Sequence, residues 1–419
     1  MDQFGVLHNG KAALPGAHAL IAELLRRKKP LIILSNTSSP AHATLARLHT
    51  TLHFPAPHQF LTAITSGEEA IHYIQHTYTN TNTHTKTHEE EEEARTATTT
   101  AEASSRNRNR NRNRICKFIW FTWDTQTNTN VPDPMQFIHH LNNPKTKNKK
   151  NNQDDDDVDD DDDDDGSTVT FEPTLDIEAA EFVVAHGCNV IRGSRSGDDT
   201  CTTNDTHVQS VGNFLVDGQF TNGIDTILAQ CAQRHLPLIC ANPDVVVKYH
   251  DGTLKQMPGQ IAHRYSTKFH MSHHTKLFGK PHPEHFEACL HALYQHQQNQ
   301  NEDNEDHNNN KDDTPASSSA QPPSKPVLRI AHVGDSIQHD VAGANAVAGI
   351  DSIFIMGGIH SDVFEETTTT TTTTTATITA TAGVDDETTK RILSDRIRLQ
   401  NFFEHEGHTP THVVPMFRL

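Results

Sequence analysis

The chain has 419 residues, enough for two or three domains, but only 34% are apolar, so part of it lies outside any core. Its formal charge of −19 is concentrated in one run, Asp154–Asp157 with Asp159–Asp165, and the rest is only modestly acidic. That balance speaks against nucleic-acid binding, and no apolar run reaches the roughly 20 residues of a membrane span. In chain order, Ala17–Lys29 patterns as an amphipathic helix behind Pro15-Gly16, and Leu31–Leu34 as a short buried strand. Ala41–Leu48 is a second helix, and another starts at Glu68 after Gly67. Phe118–Phe121 and Phe182–Ala185 read as strands, and the helix Ile224–Arg234 leads into the strand Pro237–Ala241. Pro283–His296 is helical, followed by the strand Val327–Val333, a helix near Gln338–Ala348, the strand Ser352–Ile355 and a last helix, Thr388–Phe403.

Helices between short apolar strands predict an α/β fold, a Rossmann-like doubly wound parallel sheet covered on both faces. Catalytic groups in such folds gather at the carboxyl ends of the strands. Four low-complexity tracts interrupt the pattern, at about 77–114, 142–167, 297–325 and 364–386. They hold Arg-Asn repeats, the Asp run, an Asn/Asp/Gln stretch and the threonines Thr367–Thr375. Such compositions bury too little apolar surface to offset the entropy of ordering, so they read as disordered surface insertions. Repeat expansion in tolerant loops accounts for them, and an acidic arm for basic partners is the alternative.

Six scattered cysteines, with no Cys-x-x-Cys pair, indicate free buried thiols in a reducing compartment. The cytoplasm is the default, with an organelle the alternative if a targeting peptide lies upstream of Met1. The 31 histidines fall mostly in polar tracts, and His263, His270, His273 and His274 lack ligand spacing, so no structural zinc site is expected.

Four segments carry candidate chemistry. Asp2 precedes Gly5-Val6-Leu7 and Gly10. Leu31–Leu34 runs into Ser35-Asn36-Thr37. Gly279-Lys280-Pro281-His282-Pro283 holds a lysine on a proline-flanked loop. Val333 runs into Gly334-Asp335-Ser336, with Asp340 five residues beyond Asp335. Singly, each has an ordinary reading: a strand-to-turn transition, a helix cap at Ser35 or Asp335, a solvated charge at Lys280. In this order they resemble the four motifs of the haloacid-dehalogenase (HAD) superfamily. Ile64-Thr65-Ser66-Gly67-Glu68, Cys240-Ala241-Asn242-Pro243-Asp244 and the closing Thr409-Pro410 and Val413-Val414-Pro415 narrow the resemblance to class IIA. The first motif, Asp-Gln-Phe, is similar to that of an uncharacterised class IIA branch.

The resemblance implies a core formed by 1–65 and 263–419, with an α/β cap at 66–262. It implies Asp2 as nucleophile, forming an aspartyl-phosphate, with Ser35 and Lys280 stabilising the phosphoryl group. Mg²⁺ would be held by Asp2, the carbonyl of Phe4 and Asp335, supported by Gly334, Ser336 and Asp340, the last orienting Lys280 or a metal-bound water. Asn36, Asn242 and Asp244 would lie near a small phosphorylated substrate, with no nucleic-acid or membrane partner and the oligomeric state open. Asn242-Pro243-Asp244 also reads as a simple Asx-Pro turn.

Two features depart from the family pattern. HAD phosphatases place a second aspartate two residues after the nucleophile as general acid, and here that residue is Phe4. Either the leaving group needs no acid, as in an acyl phosphate, or another group such as a cap histidine serves, or the domain binds phospho-ligands or protein without turnover. HAD dehalogenases also lack that acid, but they use no Mg²⁺, and Gly334-Asp335-Ser336 argues against them. The second departure is that no apolar strand precedes Asp2, from which a truncated start is expected.

Overall fold

A computed structural model describes residues 1–55, 59–79, 113–126, 131, 133–143, 168–195, 207–220, 222–306, 329–364 and 397–415. In chain order the strands are β1 (Ile32–Ser35), β2 (Thr62–Thr65), β3 (Asn113–Thr122), β4 (Thr168–Pro173) and β5 (Phe182–Ala185). Then come β6 (Val190–Gly193), β7 (His207–Ser210), β8 (Leu238–Cys240), β9 (Val246–Lys248) and β10 (Leu254–Gln256). The last are β11 (Thr275–Leu277), β12 (Ile330–Gly334), β13 (Ile350–Ile355) and β14 (His412–Val414).

The α/β expectation holds. β1 pairs in parallel with β2, while β12, β13 and β14 form a second parallel set. The two sets meet through the first two residues. Leu34 N donates to Met1 O at 2.9 Å, the Met1 ammonium to Ile32 O at 2.7 Å, and Asp2 N to Val333 O at 2.8 Å. Met1-Asp2 therefore lies between β1 and β12, where a central strand would run. The helices Ala17–Arg26 and Ala41–Thr50 cover one side, burying Ala17, Ile21 and Leu48 against Ile33, Val6 and Leu7.

Between these halves the chain builds a larger sheet in the order β11-β8-β5-β3-β6-β7, with β4 also on β3. Its faces follow the two-residue alternation of a strand. Phe118, Trp120, Phe182 and Val184 pack under the helices Ser66–Thr79 and Pro134–Asn142. Ile119, Phe121, Val183 and Ala185 face Ile224, Leu228, Ile261 and Tyr265 of the helices Asn222–Gln233 and Pro258–Lys268. Burial on both faces explains why Phe118–Phe121 is continuously apolar, and each fully buried Phe contributes about 1.5–3 kcal/mol.

Several elements differ from the sequence expectation. β6 and β7 are antiparallel, and β9 and β10 form a separate hairpin. These strands are short and mixed in polarity, so their pairing is decided by neighbours rather than by pattern. β11 pairs with β8, so the larger sheet reaches Leu277, past the boundary expected at 262. In place of a continuous helix at Gln338–Ala348 there is a π-helical turn, Ile337–Val341, and one α-turn, Ala342–Asn345. The wider turn lets Asp340 reach back to Ser336 N, at 3.1 Å.

The helix starting at Pro283 runs past the expected end at His296 to Asp306, into the third tract. Extending an established helix costs far less than nucleating one. The four tracts otherwise lie almost wholly outside the described residues, as does the first part of the helix expected at Thr388–Phe403; its remainder is helical over 397–406. Cys116, Cys188, Cys231, Cys240 and Cys289 are free, and all but Cys289 are buried. No described helix is long and apolar enough to cross a membrane.

Candidate active site

The strands of the smaller sheet set the site by where they stop. β1 ends at Ser35, β12 ends at Gly334 beside Asp335, and Asp2 lies between them. Lys280 arrives from the loop after β11. Its ammonium is 2.9 Å from Asp2 Oδ1 and 2.6 Å from Asp340 Oδ1, and all three side chains are buried. Burial works against the lysine's charge, but the two carboxylates outweigh it and hold its pKa above the usual value.

Asp340 also meets His332 Nε2 at 2.8 Å. Burial alone would raise its pKa, yet Lys280 and His332 hold it below the ordinary carboxylate range. Asp2, sharing the lysine with Asp340, goes the other way: burial pushes it up to about 7. Asp335 is raised well above normal by burial and then by the charges of Asp2 and Asp340. Its Oδ2 accepts from Ile359 N at 2.7 Å.

Glycines leave the space this crowding needs. A Cβ at Gly5 or Gly358 would lie 1.9 or 2.1 Å from Asp335 Oδ2, and one at Gly334 would lie 2.0 Å from Asp340 Cγ. Ser336 caps the π-helical turn, its Oγ accepting from His339 N at 3.3 Å.

Ser35 Oγ accepts from Gln3 Nε2 at 2.8 Å and from Thr37 N at 3.2 Å. Gln3 Oε1 in turn meets His8 Nε2 at 3.3 Å, and burial lowers the His8 pKa to about 3. Asn36 ties three segments together. Its Oδ1 accepts from Lys280 N at 2.6 Å, and its Nδ2 donates to Asp244 Oδ1 at 2.7 Å and to Lys280 O at 3.1 Å. Asn242 Oδ1 accepts from Asp244 N at 3.0 Å, the Asx turn, while Asp244 Oδ1 lies 3.4 Å from His339 Nδ1. Asn36 and Asp244 thus join the smaller sheet to the returning chain, and both also face the cavity.

That cavity, of about 550 Å³, has Asp2, Phe4, Ser35, Lys280 and Asp335 on one side. Trp123, Val131, Val247, Tyr249 and Met257 of the middle unit line the other. Trp123 Nε1 also donates to Ser38 Oγ at 3.1 Å across the junction. Sequence reasoning did not find His332, Gln3 or His8. His332 had a signal, a lone imidazole inside an otherwise apolar strand, but its partner Asp340 becomes evident only in the fold.

Oxygen ligand atoms of Asp2, Asp335 and Asp340 lie within 4.8 Å of one another, all from buried residues. Burial raises the pKa of two of these three carboxylates, Asp2 and Asp335, and the all-oxygen donor set fits a hard divalent cation such as Mg²⁺, which would favour their charged forms. Phe4 presents only a phenyl ring, set edge-on to His8 with centroids 5.6 Å apart.

The loop carrying Lys280 yields a pH prediction. Gly279 N donates to His285 Nε2 at 2.6 Å, and burial lowers the His285 pKa to about 4. Between pH 6.5 and 4 the unfolded chain binds this proton and the folded one does not. Stability present above pH 6.5 is therefore lost as pH falls, by about 2 kcal/mol at pH 5 for this residue. Urea unfolding of H285Q should show a shallower loss between pH 7 and pH 5 than the parent. An unchanged slope would contradict the assignment.

The family model described as haloacid dehalogenase-like hydrolase matches residues 1–98, and a second, HAD-hydrolase-like, matches residues 277–381. Both models that match the chain are of HAD-like hydrolases. The two matches lie on either side of residues 99–276.

Among solved structures, a haloacid dehalogenase-like hydrolase from Brucella suis is 19% identical, with a TM-score of 0.45 over 86% of this chain and 84% of that one. A possible sugar phosphatase from Cytophaga hutchinsonii is 14% identical, with a TM-score of 0.49 over 100% and 93%. A p-nitrophenyl phosphatase from Archaeoglobus fulgidus is 15% identical, with a TM-score of 0.46 over 99% and 94%. No curated protein matches.

Proposed function

We propose that this chain is an Mg²⁺-dependent phosphatase of HAD class IIA, acting on a small phosphorylated metabolite through an aspartyl-phosphate, with residues 66–277 as its cap. The observation that carries this reading is the buried Lys280 ammonium at 2.9 Å from Asp2, beside Asp335 and at the wall of the cavity. A cavity of about 550 Å³ suits a metabolite-sized ligand.

In this mechanism an Asp2 carboxylate oxygen attacks phosphorus as the bond to the leaving oxygen breaks. Lys280 steadies the charge on Asp2 and on the phosphoryl oxygens, and Ser35 Oγ donates a hydrogen bond to one of them. Water then attacks phosphorus, releasing phosphate and restoring Asp2. Asp2, Asp335 and the Phe4 carbonyl would hold Mg²⁺, which when bound neutralises charge on the phosphoryl group. Asn36, through both Lys280 and Asp244, keeps the lysine loop and the cap return in register. Asn242 and Asp244, which line the cavity, would contact the substrate.

Phe4 cannot give a proton to the departing oxygen, so the rate should depend steeply on leaving-group acidity. Acetyl phosphate and p-nitrophenyl phosphate should be turned over with Mg²⁺ far faster than an alkyl phosphate. F4D should raise alkyl phosphate turnover by about 10²–10⁴-fold, the usual scale of general acid catalysis. A flat dependence on leaving group would contradict this account.

The same phenyl ring favours one alternative, a domain that binds phospho-ligands or a partner protein without turnover. Tight vanadate binding with no hydrolysis of either activated substrate would select it.

A further inference from the structure

A second cluster of ligating side chains lies outside the catalytic cavity. The helix Ser66–Thr79 leaves β2 where the chain enters the middle unit, and it carries Glu68 and His72 four residues apart, on one face. His140, near the end of the helix Pro134–Asn142, comes to the same face, its Nε2 3.9 Å from Glu68 Oε1. One donor atom from each of the three lies within 4.8 Å of the others. Burial grades outward, with His140 buried, Glu68 half-buried and His72 exposed. None of the three lines the catalytic cavity.

The carboxylate is held in place from the smaller-sheet side. Glu68 Oε2 accepts from Ala41 N at the start of the helix Ala41–Thr50, while Oε1 faces His140. The ring of His42, on that same helix, faces the ring of His140 with centroids 5.5 Å apart. The cluster therefore joins helices of the smaller and larger sheets at the point where the chain crosses between them.

We propose that Glu68, His72 and His140 bind a divalent transition metal of the zinc class, with water completing the coordination. Two imidazoles and one carboxylate are borderline donors that suit such an ion, unlike the all-oxygen group at Asp2. Tetrahedral bonds of about 2.0–2.1 Å set donor atoms roughly 3.3 Å apart. The Glu68–His140 pair, at 3.9 Å, is already near that separation, and a ring nitrogen of the exposed His72 lies within 4.8 Å of both. The bound ion would hold the first helix of the middle unit against the second, beside the crossing. The ordinary alternative is a solvated Glu–His pair that takes no metal.

The test uses the full-length protein with excess Mg²⁺ to occupy the carboxylate group, titrated with Co²⁺ and followed by its visible d–d absorption. With 31 histidines in the chain, weak background binding is certain, so the comparison between variants decides. One equivalent should bind more tightly than the rest, with the absorption of a low-coordinate nitrogen–oxygen site. H72A changes an exposed residue, and E68Q keeps an acceptor for Ala41 N, so both should fold. Each should weaken the tight step at least about tenfold, the lower end of losses seen when even supporting residues of metal sites are removed. H139A, at the exposed neighbour of His140, should leave it unchanged. Absence of a tight step in the parent protein would overturn the proposal, as would a tight step that survives H72A and E68Q.

Discussion

D2N should fold as the parent does and leave hydrolysis of p-nitrophenyl phosphate at background. Asparagine has nearly the volume of aspartate but no nucleophilic carboxylate, and the bond that seats this residue, from its N to Val333 O, belongs to the backbone. Lys280 keeps Asp340 at 2.6 Å. The expected loss in kcat is on the order of 10⁴-fold or more, the scale for removing a catalytic nucleophile. Stability should stay level or rise, because burial already disfavours the Asp2 charge and raises its pKa to about 7. Urea unfolding beside the rate measurement separates a chemical role from a structural one. A D2N protein that retains turnover would remove Asp2 from the mechanism.

K280M should lose both activity and stability. Three carboxylates, Asp2, Asp335 and Asp340, are buried around this single ammonium. Removing the cation leaves buried negative charge that must take up protons or reach water, and breaking such a pair costs about 3–5 kcal/mol. The urea midpoint should fall accordingly at pH 7. Adding D340N to K280M should recover part of that loss, since it removes one of the stranded charges, and the cycle measures their coupling. If K280M unfolds at the parent midpoint, the ammonium is not what holds these carboxylates together.

Much of the candidate site could be read as polar residues placed just after apolar runs. Leu31–Leu34 before Ser35 and Ile330–Val333 before Asp335 have that form, and in the fold their strands end on either side of Asp2. The shared lysine of Asp2 and Asp340 could not be read, because Lys280 reaches them from a loop after β11 and no local pattern encodes that approach. His332 and Gln3 were hidden for the same reason: each is defined by a partner distant along the chain or across a turn.

Alternation and apolar length made β1, β5 and β8 evident, whereas β7 and β10, with exposed and polar positions, depend on their neighbours for pairing. The Glu68, His72 and His140 group shows the limit most clearly. Glu68 and His72 already had helical spacing, but His140 lies on another helix, and only packing of the two helices against Phe118 and Trp120 brings it near.

The proposed reaction passes through a covalent bond from Asp2 to phosphorus, and the absence of an acid–base group at Phe4 should slow the water attack that breaks it. The aspartyl-phosphate should therefore accumulate. Full-length protein turning over acetyl phosphate with Mg²⁺, quenched, reduced with borohydride and digested for peptide mass spectrometry, reports that bond directly. Homoserine in place of Asp2 is the predicted result. Steady hydrolysis of acetyl phosphate with Asp2 unmodified in every trapped sample would contradict it.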